Sequence, residues 1–276
     1  MAKPVAQLDH VIIRFAGDSG DGMQLTGDRF TTETAVVGND LATYPDFPAE
    51  IRAPAGSLPG VSGFQVHFAD HDILTPGDRP DVLVAMNPAA LKTNLKDLPR
   101  GGTLIVNADA FSDRNLQKAG YTASPLEDGS LGDYNVVTVP LTTMTVEAVK
   151  AVDVTPREAE RSKNFFALGL MSWLYGRPTE TTLEFIERKF SRLPAIADAN
   201  RVAFNAGYAF GETSEQFAVQ YEVKPAKLSP GVYRQITGNQ ALSLGLVAAS
   251  RQSGLDLFLG AYPITPASSI LEELAG

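Results

Sequence analysis

The sequence predicts an α/β fold, in which a Rossmann-like, mostly parallel sheet with covering helices precedes the beginning of a second α/β domain. Three observations support this prediction. A β-branched apolar run at residues 11–15 leads through a glycine-rich turn into a segment of helical character. Several short apolar runs then alternate with helical patterns, as in parallel sheets. Near residue 212 the pattern breaks, and a new helix and strand pattern begins after it.

Composition limits the classes of protein to be considered. The 276 residues suffice for about two domains. With 23 basic and 32 acidic side chains the net charge is −9, which argues against a nucleic-acid partner. The absence of cysteine excludes disulfides, thiolate metal sites and iron–sulfur ligation by this chain. No signal-peptide core and no membrane-spanning run is present, so we expect a cytoplasmic protein without a membrane partner.

The first apolar run ends in a turn with the spacing G-x-x-G-x-G at residues 17–22. Glycines let the backbone turn sharply there, and the first N–H groups of the following helix suit an anion. The spacing differs from the dinucleotide fingerprint, and the acids Asp18 and Asp21 would repel a pyrophosphate. A ligand-binding turn and a turn that only packs the helix on the sheet both remain open. The ligand-binding candidates are Gly17, Ser19, Gly20 and Gly22.

After the first helix, residues 41–44 are predicted to form a short strand that stops at Pro45. The segment 46–60 is rich in proline and glycine and is predicted to be an ordered loop. It carries Arg52, whose guanidinium is suited to pair with a phosphate or carboxylate near the glycine turn. A surface ion pair is the alternative role for this arginine.

Four more strands are predicted to complete the first sheet, at residues 61–68, 81–87, 102–107 and 136–139. Asn87 ends one of them and precedes Pro88 and a helix. Open α/β sheets bind ligands at the carboxyl ends of their strands, so Asn87 is a binding candidate. A helix N-cap accounts for this asparagine equally well. The three histidines show no metal-site spacing, and no metal site is predicted.

The next part of the chain is predicted to be helical, over residues 157–175, 181–190 and 195–210. The first of these helices ends at Gly176, a C-terminal cap signal, and its aromatic and methionine stripe is predicted to be core. These helices would complete a first domain at residues 1–211. Residues 212–236 contain two prolines and little periodicity, and they are predicted to form a linker.

A second domain is predicted over residues 237–276. Residues 237–250 are predicted to form a small-residue helix, and residues 255–262 are predicted to form a strand. A prolyl turn at residues 263–270 enters another helix, with proline at its beginning. Two helices and one strand cannot bury a core, so this domain is expected to be incomplete as given.

The prolyl turn resembles the YPITPSS-type signature of thiamine-diphosphate-dependent 2-oxoacid:ferredoxin oxidoreductases, where it opens the pyrimidine-binding domain. In this sequence the signature is Tyr262-Pro263-Ile264-Thr265-Pro266-Ala267-Ser268-Ser269, with one extra alanine. Residues 238–241 precede it in the usual place. Upstream, residues 17–22, 50–52, 64–66 and 81–87 look like the gamma domain of the same enzymes. A gamma domain fused ahead of the alpha portion is typical of the alpha subunit of the 2-oxoglutarate enzyme.

The resemblance implies an enzyme that decarboxylates a 2-oxoacid oxidatively with coenzyme A, giving an acyl-CoA and carbon dioxide and passing electrons to ferredoxin. It implies an α2β2 heterotetramer in which the beta subunit holds the diphosphate of thiamine diphosphate, Mg²⁺ and an iron–sulfur cluster. Thr265 matches the family threonine that approaches the substrate carboxylate and the thiazolium carbon. Tyr262, Pro263 and Ile264 flank it in the cofactor site. The glutamate that activates the cofactor in this family lies outside this sequence.

For the gamma domain, the family suggests closure over the site and contact with coenzyme A. We expect this role for the glycine turn, Arg52 and Asn87, and a subunit interface is the alternative. For the whole chain, three alternatives remain: the same chemistry on pyruvate or a branched-chain 2-oxoacid, a non-catalytic docking module, and a nucleotide-dependent dehydrogenase.

Overall fold

The computed structural model describes residues 3–49, 53–262, 264 and 266–276. These residues form two compact units, Met1–Leu228 and Ser229–Gly276. The predicted α/β class is confirmed, because the first unit combines a mixed, mostly parallel sheet with covering helices.

The strands of the first unit are β1 (Val5–Leu8), β2 (His10–Asp18), β3 (Asp40–Asp46), β4 (Val61–Ala69), β5 (Val82–Ala85), β6 (Thr103–Asn107), β7 (Asn135–Val139) and β8 (Gln220–Val223). Its helices are α1 (Met23–Val37), α2 (Pro88–Asn94), α3 (Asp113–Lys118), α4 (Leu141–Ala148), α5 (Pro156–Arg161), α6 (Lys163–Leu174), α7 (Glu180–Lys189) and α8 (Pro194–Thr213).

Six strands form the main sheet, in the order β3-β4-β2-β5-β6-β7. The strands β2, β5, β6 and β7 are parallel, whereas β4 runs antiparallel to both of its neighbours. The chain leaves β2 toward one edge of the sheet through α1 and leaves β5 toward the other edge through α2. The carboxyl ends of β2 and β5 therefore flank a topological switch point, the place where open α/β sheets bind ligands.

Strand β3 differs from its prediction, because it continues through Pro45 to Asp46. Pro45 pairs with Phe64 of β4 in the register of the sheet. Since β3 lies at the edge, the missing N–H of the proline removes no bond to a further strand.

The linker predicted at residues 212–236 is wrong in its first part. Helix α8 runs to Thr213, and β8 pairs in parallel with β1, so that the first unit extends to Leu228. The pairing joins Val5 to Gln220 and Leu8 to Val223. A strand of four residues carries too little periodicity to be recognised, and its partner β1 lies near the start of the sequence, far from β8.

Helix α6 is buried along nearly its whole length, and its predicted aromatic stripe is confirmed as core. It packs against α8 at two glycines. A Cβ atom on Gly169 would lie 2.0 Å from the Phe204 carbonyl oxygen, and one on Gly207 would lie 2.0 Å from the Phe166 oxygen. The two helix backbones therefore touch, and no larger residue fits at either glycine.

The second unit contains α9 (Gly238–Ser253) and α10 (Ser268–Ala275). A capping box between Thr237 and Gln240 begins α9, and the Asn239 Nδ2 donates to Ser269 Oγ on α10 at 2.7 Å. The strand predicted at residues 255–262 is wrong, because this segment is irregular. Within the described part of this unit there is no other strand with which it could pair.

None of the helices in the described ranges combines the length and apolar character needed to cross a membrane.

A buried carboxyl group joins three helices on one face of the sheet. Glu33 of α1 is fully buried, and it accepts hydrogen bonds from Thr182 of α7 and from Ser172 Oγ of α6, the latter at 2.7 Å. Burial raises the pKa of Glu33 to about 7, although both hydroxyls and the guanidinium of Arg177 favour the charged form. Ser172 also contacts the Leu168 carbonyl oxygen at 2.8 Å. One hydroxyl proton cannot serve both acceptors, so a protonated Glu33 satisfies the cluster best.

This cluster predicts that stability falls as pH rises. The unfolded state loses the proton of Glu33 near its ordinary pKa, whereas the folded state keeps it to about pH 7. The free energy of unfolding should therefore drop by about 3 kcal/mol between about pH 4.5 and pH 7 through this group, and then level off. Urea denaturation across this range measures the drop.

In Glu33→Gln the contribution should vanish, so the variant gains stability relative to the wild type as pH rises. Thr182→Val removes a donor that favours the charged form, and it should keep the pH dependence and extend it to higher pH. Equal pH slopes for the wild type and Glu33→Gln would contradict the assignment.

Candidate functional site

The glycine turn lies at the carboxyl end of β2, as predicted, and leads directly into α1. Gly22 caps the helix with φ +76°, and no side chain caps it. A Cβ on Gly22 would lie 2.5 Å from Asn164 Nδ2, and one on Gly17 would lie 2.9 Å from Asp21 Oδ2. Both positions therefore require glycine, whereas a Cβ on Gly20 would meet nothing within 4 Å.

The two acids of the turn serve its structure. The Asp21 carboxylate accepts the backbone N–H of Asp18 at 2.9 Å and pairs with Lys163 Nζ of α6, also at 2.9 Å. The Asp18 carboxylate accepts the backbone N–H of Gly56 at 2.8 Å. The repulsion expected between these acids and an anion is thus reduced, because the Asp21 charge is paired.

Asn87 lies next to the turn and caps α2. Its Oδ1 accepts the backbone N–H of Ala90 at 2.9 Å, and its Nδ2 lies 3.4 Å from Asp21 Oδ2. The structural alternative given for Asn87 is therefore the one observed, and the predicted meeting of Asn87 with the glycine turn at one edge of the sheet is also present.

A cavity of about 350 Å³ opens beside the turn. Its apolar lining residues are Leu25, Phe165, Phe190, Leu193 and Ile196. Its polar lining residues include Asp21, Glu158, Arg161, Asn164 and Asn200. Both asparagines are buried, and within the described residues their Oδ1 atoms have partners while their Nδ2 atoms have none. The start of α1 borders the same space, because Gly22 and Leu25 line the cavity.

The lining of this cavity combines hydrogen-bond donors, carboxylates and hydrocarbon. Arg161 and the amino end of α1 suit negative charge, and the two amide groups suit carbonyl oxygens, whereas the carboxylate of Glu158 disfavours an anion placed beside it. An elongated ligand with anionic and amide groups matches such a lining.

The structure describes only some of the remaining candidate residues. Arg52, Pro263 and Thr265 lie outside the described residues. Ser19 is exposed in the turn. In the second unit, Tyr262 is 80% exposed and Ile264 is 50% exposed.

The polar residues that line the cavity from α6 and α8, Asn164 and Asn200, are not among the residues predicted from sequence. Lys163 and Asn164 begin a helix that is otherwise apolar, and such polar residues at a helix start are the available signal. Their neighbours in the turn are distant in sequence, so the contact itself could not be inferred.

The histidines cluster, although their spacing gave no sign of it. The His10 ring lies 5.8 Å from that of His67 and 6.3 Å from that of His71, centre to centre. Among the described residues, no three side chains of histidine, cysteine, aspartate or glutamate are arranged to hold a metal ion.

A sheet with a topological switch point, a glycine turn and an adjoining cavity is the arrangement in which open α/β proteins bind ligands at the carboxyl edge. The chain belongs to the pyruvate ferredoxin/flavodoxin oxidoreductase family, whose model matches residues 12–210.

Similar proteins extend the comparison beyond the first unit. The chain is 62% identical over 269 residues to the 2-oxoglutarate oxidoreductase subunit KorA of Mycobacterium tuberculosis, covering 98% of this chain and 41% of that one. Over 108 residues it is 35% identical to the 2-oxoglutarate synthase subunit KorC of Methanothermobacter thermautotrophicus, covering 38% of this chain and 53% of KorC.

Among solved structures, the chain resembles the 2-oxoglutarate:ferredoxin oxidoreductase of Magnetococcus marinus, which was determined with 2-oxoglutarate, coenzyme A and succinyl-CoA bound. The TM-score is 0.72 at 26% identity, covering 97% of this chain and 41% of that one. The chain therefore spans about two fifths of the length of KorA and of this enzyme.

The ion pair at the turn gives a test of the site. Lys163 and Asp21 keep 22% and 14% of their side-chain surface exposed, so a double-mutant cycle of Lys163→Met and Asp21→Asn should show a coupling of about 2 kcal/mol in urea unfolding. The pair Lys150–Glu147 is 74% and 72% exposed and serves as the control, with a coupling below about 0.5 kcal/mol. Equal couplings for the two pairs would show that burial does not strengthen the pair at the turn.

Proposed function

We propose that this chain acts as the alpha subunit of a 2-oxoglutarate:ferredoxin oxidoreductase. The enzyme would convert 2-oxoglutarate and coenzyme A to succinyl-CoA and carbon dioxide and pass two electrons to ferredoxin. The observation that carries this proposal is the 62% identity to KorA across 98% of the chain. The similarity along 97% of the chain to the Magnetococcus marinus enzyme supports the same reaction. The first unit then corresponds to the gamma domain, and the second to the start of the pyrimidine-binding domain.

The cofactors are proposed to be shared with a beta subunit in a cytoplasmic α2β2 heterotetramer. The 276 residues contain no cysteine, so they cannot ligate the iron–sulfur cluster, which is proposed to lie in the beta subunit. Thiamine diphosphate, bound with Mg²⁺, supplies the nucleophilic carbon and the electron sink for decarboxylation. The exposure of Tyr262 and Ile264 fits a cofactor that is held between this chain and a partner.

Thr265 is proposed as the residue of this chain that acts on the substrate. Its hydroxyl is a hydrogen-bond donor suited to a carboxylate, and it lies shortly before α10 in the sequence, which begins at Ser268. Tyr262, Pro263 and Ile264 are proposed to shape the cofactor site beside it.

Coenzyme A is proposed to contact the carboxyl edge of the first unit. Its phosphates match the amino end of α1, and Arg161 lines the same cavity. Its amide-containing arm matches the buried amides of Asn164 and Asn200 and the apolar residues that line the same cavity. Arg52 is proposed to pair with a phosphate. Asn87 would act by holding the turn, because its side chain already caps α2.

A viologen-reduction assay tests the function. The full chain is purified with and without its cysteine-containing partner subunit and is supplied with coenzyme A and 2-oxoglutarate, pyruvate or a branched-chain 2-oxoacid. We expect reduction only by the mixture, with 2-oxoglutarate preferred. A preference for another 2-oxoacid would reassign the substrate, and inactivity with every 2-oxoacid would favour a docking module. Tight NAD binding by the chain would instead support a dehydrogenase.

Substitution of Thr265 tests the catalytic assignment. Thr265→Ala should lower turnover by about 10²-fold, since it removes a hydrogen bond that strengthens in the transition state. Thr265→Ser keeps the hydroxyl and should retain most of the turnover. Circular dichroism and thermal melting of both variants should match the wild type. Unchanged turnover in Thr265→Ala would remove this threonine from the site.

A further inference from the structure

Two buried asparagine side chains line the cavity beside the glycine turn, and each leaves a donor unused. Asn164 is 7% exposed and Asn200 is 4% exposed. Among the described residues, the Oδ1 atom of each accepts a hydrogen bond, whereas the Nδ2 group of each has no acceptor. A buried polar group without a partner is costly, so its presence calls for an explanation. A ligand in the cavity would supply the missing acceptors.

The orientation of the Asn164 amide is fixed by the backbone. Its Oδ1 accepts the N–H of Phe165 at 2.9 Å. A rotated amide would place its NH₂ group against that N–H, so that two donors would face each other. The Nδ2 group lies on the side of the glycine turn, where a Cβ atom on Gly22 would come within 2.5 Å of it. Asn164 therefore offers a donor at the turn.

The orientation of the Asn200 amide depends on one hydroxyl group. Ser162 Oγ donates to Asn200 Oδ1 at 2.9 Å, and Ser162 is only 2% exposed. In the opposite orientation the amide would donate to Ser162 Oγ, and the serine proton would turn to the Glu158 carbonyl oxygen, 3.4 Å away. The shorter contact favours the first arrangement, which leaves Asn200 Nδ2 free. Ser162 thus determines whether Asn200 offers a donor or an acceptor to the cavity.

The charged groups of the lining restrict the kind of ligand that fits. The hydroxyl and the backbone N–H of Thr155 donate to Glu158 Oε2 at 2.7 and 2.8 Å and lower the pKa of Glu158. Asp21 is paired with Lys163, and Arg161 is exposed. The buried part of the lining is therefore neutral and consists of amide donors and apolar side chains. A neutral chain with carbonyl oxygens suits it better than an anion.

We propose that Ser162 is a positioning residue, which fixes Asn200 as a donor so that the cavity binds the carbonyl oxygens of a neutral, amide-containing chain. The inference rests on the proposed function for its ligand, where this chain is the pantetheine arm of coenzyme A. The phosphates then lie outside the buried part, toward Arg161. Loss of the Ser162 hydroxyl weakens binding of the arm and leaves the chemical step unchanged.

A double-mutant cycle on coenzyme A binding tests this role. Ser162→Ala, Asn200→Leu and the combined variant are prepared in the complete enzyme with its partner subunit, and binding is measured by calorimetry. Each single substitution should weaken binding by about tenfold, since each costs one oriented hydrogen bond. In the Asn200→Leu background, Ser162→Ala should have no further effect. In turnover assays the KM for coenzyme A should rise by about tenfold in Ser162→Ala, with kcat unchanged.

Two further probes separate the polarity of the site from its charge. Asn200→Asp keeps the contact with Ser162 but places an acceptor toward the cavity, so it should weaken binding more than Asn200→Leu. Pantetheine lacks the phosphates and is measured as a competitor of coenzyme A. Its affinity should fall by about tenfold in Ser162→Ala, as for coenzyme A. Arg161→Gln should weaken coenzyme A binding alone.

Ser172→Ala is the matched control. Its hydroxyl is also fully buried and also contacts the carbonyl oxygen four residues earlier, but its other partner is Glu33. Neither Ser172 nor Glu33 lines the cavity. Both serine variants should lower the melting temperature, and only Ser162→Ala should weaken coenzyme A binding. If Ser162→Ala does not assemble, Ser162→Cys replaces it, because a thiol fills the space and donates only weakly.

Each result decides a separate point. Unchanged coenzyme A binding in Ser162→Ala, or an equal loss in the Asn200→Leu background, would overturn the positioning role and leave the proposed function intact. A loss for coenzyme A without a loss for pantetheine would show that the arm does not occupy the cavity. A wild-type enzyme that neither binds coenzyme A nor turns over any 2-oxoacid would overturn the proposed function together with the ligand assigned here.

Discussion

The pairing of β2 on both sides is the constraint on which the rest of the first unit depends. β2 is antiparallel to β4 and parallel to β5, and the chain leaves these parallel strands in opposite directions. The glycine turn is thereby placed at the switch point, with the start of α2 beside it. Glycine at positions 17 and 22 is then needed for close packing, since Asp21 and Asn164 occupy the space that side chains would take. Strand order therefore determines where the candidate site lies, and side-chain packing then determines its local shape.

Much of this first sheet could be predicted from sequence because its strands are buried. The continuous apolar run before Asn87 is typical of a parallel strand covered on both faces, and β5 is indeed buried throughout. The glycine turn and the role of Asn87 as a possible cap follow from local rules about turns and helix starts. Such features depend on neighbours a few residues away, which a sequence shows directly.

The features that escaped prediction depend on distant partners. β8 exists because β1 pairs with it, and four residues of sequence do not reveal this. The segment 255–262 has strand-like composition but remains irregular, because composition cannot supply the neighbour that a strand needs. Likewise, Lys163 reads as an ordinary helix-start residue, and only the fold shows that it pairs with Asp21. The cavity wall formed by Asn164 and Asn200 could not be assembled before α6 and α8 were placed together.

The contact of α6 with α8 through Gly169 and Gly207 also has a consequence for motion. The backbone of each helix packs directly against a glycine of the other. The two helices therefore cannot slide along each other without first separating, and they should move together as one rigid body. Asn164 and Asn200 belong to these two helices. Leu193 lies in the link between α7 and α8 and is 58% exposed, so it is not packed in the same way. If the cavity widens or narrows when a ligand binds, the link between α7 and α8 should therefore move, while Asn164 and Asn200 keep their positions.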